Sequence, residues 1–151
     1  MYPALFFWSS PMFTTPHEVQ AAFYQAMRQA DLHLMMSVWA TDDDTLCIHP
    51  GGMHALGFHA IQSAWQQIFA AGPIQVRTLS EGLTLQGTTT VHSVIEEITL
   101  VAHPEHQTHY CYATNIFQRT AQGWKMVLHH ASHAPMHDPL FDPSEPAHTL
   151  H

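Results

Sequence analysis

Charge is scarce in this chain. Only 11% of its 151 residues are charged, and Lys and Arg together number four against twelve Asp and Glu. A formal charge of −8 disfavours binding to a phosphate backbone, and an acidic membrane surface would repel it as well. Neither a nucleic acid nor a membrane is therefore expected as a partner. Cysteine is nearly absent too. Cys47 and Cys111 form no C-x-x-C pair, and two cysteines in a chain of this length make no disulfide framework. They read as reduced, buried thiols of a cytoplasmic protein. There is no internal repeat, and no G-x-S-x-G, P-loop, G-x-G-x-x-G or H-E-x-x-H motif. The apolar opening, Met1 to Phe13, lacks a basic start and is bracketed by Pro3 and Pro11, which argues against a secretory signal. It is also too short to cross a bilayer. We read residues 1–14 as an arm that packs on a neighbour, with a misassigned start codon as the other reading.

What is abundant is histidine, at fifteen copies, and apolar residues, at 46%. Protonating every histidine would move the formal charge from −8 to +7, so solubility and association should change between about pH 7 and 5. With so few charges, the surface must rely on His, Gln, Thr and Ser, or a large area must be hidden between subunits. The length suits one domain with a full core.

The pattern along the chain changes once. Thr15-Pro16-His17-Glu18 is a helix start, with a cap, a proline at the first position and a capping box. Val19, Ala22, Phe23, Ala26 and Met27 then form one stripe, and Tyr24 lies beside it, where its hydroxyl can reach a cavity. Asp31 can cap a second, short helix through Trp39. A third helix carries Phe58, Ile61, Trp65, Ile68 and Phe69 and stops at Gly72-Pro73. After Pro73, β-branched and aromatic residues dominate. Strands are expected near 74–86, 89–102, 108–120 and 124–133, joined by short turns as an antiparallel meander. The fold class is α+β: a curved antiparallel sheet forming a cone around three N-terminal helices, with a pocket at its wide end. The cone domain spans 15–135. Residues 136–151, rich in proline, read as an irregular tail that packs locally through Leu140 and Phe141.

The stretch Trp39–Trp65 organises the rest. A polar turn at Asp42, Asp43 and Asp44 leads to a brief strand, Leu46-Cys47-Ile48, ended by His49-Pro50-Gly51-Gly52. This places an imidazole at the mouth of the cavity. With an ordinary pKa of about 6.5, His49 can serve as a base near neutral pH; the competing reading is a histidine that holds the glycine-rich loop shut. On the last strand, simple alternation puts Trp124, Met126, Leu128, His130 and Ser132 on one face. Because Lys125 prefers water, that face should look inward. His130 and Ser132 would then line the cavity with His129 outside it, unless a β-bulge reverses the order. Glu96 and Glu97 interrupt an apolar strand, and one of them should point inward with a raised pKa. We assign Glu97 inward; the alternative is that both lie in an interface or pair with Arg77 or Arg119. Trp39, Trp65 and Phe117, with His54 nearby, should line or floor the pocket. No metal and no cofactor is expected; His49, His54, His59, His130 and Glu97 would be the ligands of a metal-dependent variant.

Three segments in order, AAFYQAMRQADLHLMMSVWA, DDDTLCIHPGGMHALGFHAIQSAW and ATNIFQRTAQGWKMVLHHASHAP, resemble the nuclear transport factor 2-like superfamily. More narrowly, they resemble its small bacterial SnoaL-like and ketosteroid isomerase-like members. The resemblance implies the cone fold and a homodimer formed through the outer face of the sheet. It also implies that His49 stands where ketosteroid isomerase-like members carry a general-base Asp followed by Pro. Tyr24 would correspond to their helix-1 oxyanion donor. Their second donor is an acid on the strand before the final hairpin; here that strand has none, and Asn115 would replace it with an amide. His130 fits the W-x-x-x-x-x-H-x-S ending. Such folds host many activities. The expectation is a small-molecule-binding protein, an isomerase, cyclase or dehydratase acting on a hydrophobic substrate. His49 would be the base, with Tyr24, Asn115 or His130 as donors. The alternative is a non-catalytic ligand-binding or association module.

Overall fold

The computed structural model describes residues 12–100 and 107–135. The expected arm before Met12, the His103–His106 turn and the tail after Pro135 lie outside these residues.

Three helices precede the long strands: α1 (Pro16–Gln29), α2 (Leu32–Val38) and α3 (Phe58–Ala70). Their ends follow capping chemistry. The Thr15 hydroxyl accepts from the Glu18 amide at 3.2 Å, while the Glu18 carboxylate reaches back to the Thr14 amide at 2.7 Å, one residue earlier than an ideal capping box. The Asp31 carboxylate accepts from the Leu34 amide at 2.9 Å. β1 (Leu46–Ile48) and β2 (His54–Leu56) form a small hairpin; β3 (Gln75–Gln86), β4 (Thr89–Leu100), β5 (Gln107–Thr120) and β6 (Gly123–His133) form the meander. The hairpin strand β2 is an addition, since its three residues sit in what the glycines mark as a loop.

The sheet order is β2-β1-β6-β5-β4-β3. All neighbours are antiparallel except β1 and β6, which run parallel. This curved, unclosed sheet wraps the helices, the cone-shaped α+β architecture expected of the sequence. Two register shifts bend it, at Thr78/Ser80 against β4 and opposite Ile116/Phe117 in the β5–β6 pair. Phe23, Trp39, Trp65 and Phe117 are almost fully buried and join the helices to the inner face. Phe23 meets Trp39 and Trp65 edge-on.

The described end of the arm packs on its own chain. Phe13 is buried and its carbonyl accepts from the Trp124 amide at 2.9 Å. Gly123 has φ +92°, and a Cβ there would lie 2.6 Å from the Phe13 carbonyl oxygen, so the close approach requires glycine. Among the described residues, no helix is long and apolar enough to cross a membrane.

Candidate functional site

A cavity of about 540 Å³ opens between α1, α3 and the inner face of the sheet. Met27, Trp65, Ile68, Ile74 and Ile98 make most of its wall, and the loop Pro50–Met53 forms one lip. Three titratable side chains reach it: His49, Glu96 and His129.

Glu96 comes from β4, whose inward residues include Thr90, His92, Val94 and Glu96, all at most 1% exposed. Glu97 therefore points outward, against the sequence expectation. Its carboxylate meets the Arg77 guanidinium at 2.9 Å and accepts from the Tyr110 hydroxyl. Apolar residues occur on both faces of β4, so alternation alone could not choose between the two glutamates.

His129 enters from β6, and here the bulge decides. Phe117 pairs with Met126, but Ile116 pairs with Leu128, leaving Val127 without a partner. Met126 faces inward before the bulge; His129 and Ala131 face inward after it. The expected alternation holds as far as Met126 and then inverts. His130 and Ser132 consequently lie exposed on the outer side, correcting their assignment to the cavity. The premise about Lys125 fails too. It is buried at the other end of the sheet, where its ammonium donates to the Ser37 carbonyl at 2.7 Å and lies 5.5 Å from the Phe13 ring centroid.

His49 follows β1, and its amide donates to the Met53 carbonyl at 2.8 Å across the loop. Its ring stands edge-on to Trp65, with centroids 4.8 Å apart, and Nε2 lies 3.4 Å from the Cys47 thiol. Burial lowers its pKa from 6.5 to about 4, so it is neutral at physiological pH and a weak base. Burial also raises the Cys47 thiol far above its ordinary range.

Glu96 moves the other way. Burial raises its carboxyl from 4.5 to about 7, partly offset by a hydrogen bond from Tyr24. The Tyr24 hydroxyl donates to Oε1 at 2.9 Å. Behind it runs a buried polar chain. The Asn115 amide donates to the Tyr24 hydroxyl oxygen at 3.1 Å and to Gln20 Oε1 at 3.2 Å. His92 Nδ1 donates to the same Gln20 oxygen at 2.7 Å, and His129 Nδ1 lies 2.6 Å from Asn115 Oδ1. His129 is lowered to about 3, first by burial and then by the nearby His49 and His130. Its Nε2 is 3.9 Å from Glu96 Oε1; with His129 held neutral, this is no ion pair.

Of the expected site residues, His49 and Trp65 line the cavity. Tyr24 and Asn115 stand behind Glu96, their polar groups engaged by the chain just described, so neither presents the free oxyanion donor expected of it. Phe117 is a core residue under the His92 ring. Trp39 packs on Phe23 and lines a separate cavity of about 490 Å³ that includes Lys125. His54 is exposed on β2. Sequence reasoning missed Gln20, His92 and His129 and ranked Glu96 second. A signal was present: Gln20 and Tyr24 are four apart on one helix, and His92 and Glu96 four apart on one strand face, so each pair shares a side. Among the described residues, no three His, Cys, Asp or Glu side chains converge to hold a metal ion.

No curated protein matches the chain, but solved structures do. A protein from Thiobacillus denitrificans, provisionally named a calcium/calmodulin-dependent protein kinase type II association domain, is 38% identical over 83% of this chain and 99% of its own, with a TM-score of 0.72. A provisionally named dehydratase of the NTF2-like family from Streptomyces avermitilis is 29% identical over 79% of this chain and 93% of its own, also with a TM-score of 0.72. An NTF2-like protein with a cystatin-like fold from Novosphingobium aromaticivorans, 16% identical, covers 81% of each chain at a TM-score of 0.67 and shares the fold. The SnoaL-like domain matches residues 17–137, from the first turn of α1 to just past β6. Sequence, fold and structural likeness agree, and the chain belongs to the SnoaL-like domain family of the NTF2-like superfamily.

Proposed function

We propose that this protein binds an apolar small molecule in the cone and moves a proton on it with Glu96, in an isomerase-, cyclase- or dehydratase-type reaction. One observation carries the reading: a carboxyl group buried in the wall of a mostly apolar cavity, donated to by Tyr24. A carboxyl with a pKa of about 7 is half protonated at neutral pH. It can take a proton from one carbon or oxygen and return it to another. His49 is the cavity neighbour rather than the base, because burial lowers its pKa to about 4 and leaves it a much weaker base than Glu96. The name carried by the relative from S. avermitilis supports this class.

The test is base-catalysed ring opening of 5-nitrobenzisoxazole, an apolar probe whose coloured product reports proton abstraction. The wild type should accelerate it with a pH profile rising through about 7. Glu96→Gln should lower the rate about 100-fold or more while the chain stays folded. An unchanged rate in that variant would overturn the assignment.

A second reading concerns self-association. On the outer face, Val91, Ile116, Leu128, Leu46 and Leu56 are successive register partners across five strands. This aliphatic row is only partly covered, and Leu56 is 58% exposed. We propose that a second copy covers it, forming a homodimer through the outer face of the sheet. The association-domain name of the relative from T. denitrificans supports this. Sedimentation equilibrium should give a dimer that Leu128→Asp converts to monomer; a monomeric wild type at micromolar concentration would reject it. The two buried, unpaired thiols support a reducing compartment, which we take to be the cytoplasm.

A further inference from the structure

Asn115 sits where three polar groups meet. Both of its amide hydrogens are committed, to Gln20 Oε1 and to the Tyr24 oxygen. Only its carbonyl oxygen faces His129, at 2.6 Å from Nδ1. An amide oxygen accepts and never donates, so Nδ1 of His129 must carry the proton. A neutral imidazole has one proton, and Nε2 therefore presents a lone pair. That lone pair belongs to a cavity-lining ring, 3.9 Å from Glu96 Oε1. The gap is too wide for a hydrogen bond, and neither His129 Nε2 nor Glu96 Oε2 has a hydrogen-bond partner among the described residues.

The rest of the lining contains no Lys or Arg. A carboxylate or phosphate would meet Glu96 with no cation to offset it. A neutral hydroxyl both donates and accepts. It can lie off the line between the two atoms, about 2.8 Å from each, donating to His129 Nε2 and accepting from the protonated Glu96 carboxyl.

We propose that the polar end of the cavity is a hydroxyl-binding site formed by Glu96 and His129 Nε2. Asn115 is the positioning residue that fixes the histidine tautomer, and the ligand is a neutral alcohol or phenol on an apolar frame. This rests on the reading of the cavity as a small-molecule site and adds the ligand's chemical class.

The experiment compares 2-naphthol, naphthalene and 2-naphthoate by titration calorimetry. 2-Naphthol should bind about tenfold or more tightly than naphthalene, and 2-naphthoate more weakly than either. His129→Phe should leave naphthalene affinity nearly unchanged and erase the preference for the naphthol. Equal affinities for naphthol and naphthalene in the wild type, or a preference that survives His129→Phe, would overturn the hydroxyl site while leaving the apolar cavity in place. Failure of all three probes to bind would remove both readings. Nitrogen-15 NMR of the wild type provides a readout independent of any variant. His129 should show protonated Nδ1 and bare Nε2, with Nε2 shifting when 2-naphthol is added; an Nε2–H tautomer would also overturn the proposal.

Discussion

The inner and outer faces of this sheet carry the same residue types side by side and treat them in opposite ways. Glu96 faces the cavity, 1% exposed, with its pKa raised to about 7; Glu97 faces outward and pairs with Arg77. His129 is buried and held neutral; His130, the next residue, is exposed. The chemistry of a carboxyl or an imidazole here is set by which side of one strand it occupies, because desolvation of a charge costs far more than most contacts return. A functional group in this fold is therefore defined by strand phase, and a single bulge can reassign it.

The largest effect should come from exchanging the two faces. Glu96→Gln should reduce proton transfer to 5-nitrobenzisoxazole about 100-fold or more, while Glu97→Gln should stay within about twofold. Comparable losses in both would break the comparison. Next is the buried chain behind the cavity. Asn115→Leu leaves Tyr24, Gln20 and His129 short of partners and should cost about 2–4 kcal/mol in urea unfolding. Its exposed strand neighbour, Thr114→Ala, should change stability by less than about 0.5 kcal/mol.

The pH dependence of stability should separate the faces as well. His49 and His129 have folded pKa values of about 4 and about 3 against 6.5 when unfolded. Their contribution is full above pH 6.5 and is lost as the pH falls through the folded values. Glu96, raised from 4.5 to about 7, contributes in the opposite sense: its stabilisation is present below pH 4.5 and lost as the pH rises through 7. Between pH 6.5 and 4.5 two histidines oppose one carboxyl, so the melting temperature should fall as acid is added. In Glu96→Gln the fall should be steeper, because the opposing group is gone. A melting temperature flat from pH 6.5 to 4.5 would mean that the histidines are not desolvated. The smallest effect belongs to the surface pair. The Arg77 side chain is 70% exposed, and Arg77→Ala should cost at most about 0.5 kcal/mol by thermal denaturation.

Much of the fold was legible in the sequence. The first two helices announce themselves by their caps and the third by its apolar stripe and its Gly72-Pro73 stop. Thr15 and Asp31 cap as their side-chain chemistry requires, and the four long strands fall within a few residues of their turn signals. The hairpin strand β2 was not, because three residues flanked by glycines carry no readable period. The site was legible only in part. His49 and Trp65 could be placed at the cavity because a strand end and a helix stripe lead there. His129 could not, because the unpaired Val127 is a property of pairing between strands and leaves no mark in β6 itself.

Composition and local patterning alone determined the α+β class, the order of elements and the presence of imidazoles and carboxyls near a curved sheet, since caps, turns and periodicity act over a few residues. Which glutamate and which histidine face the cavity was decided only in the tertiary structure. There, strands distant in sequence set each other's phase, and burial then decides which of two like groups keeps its proton.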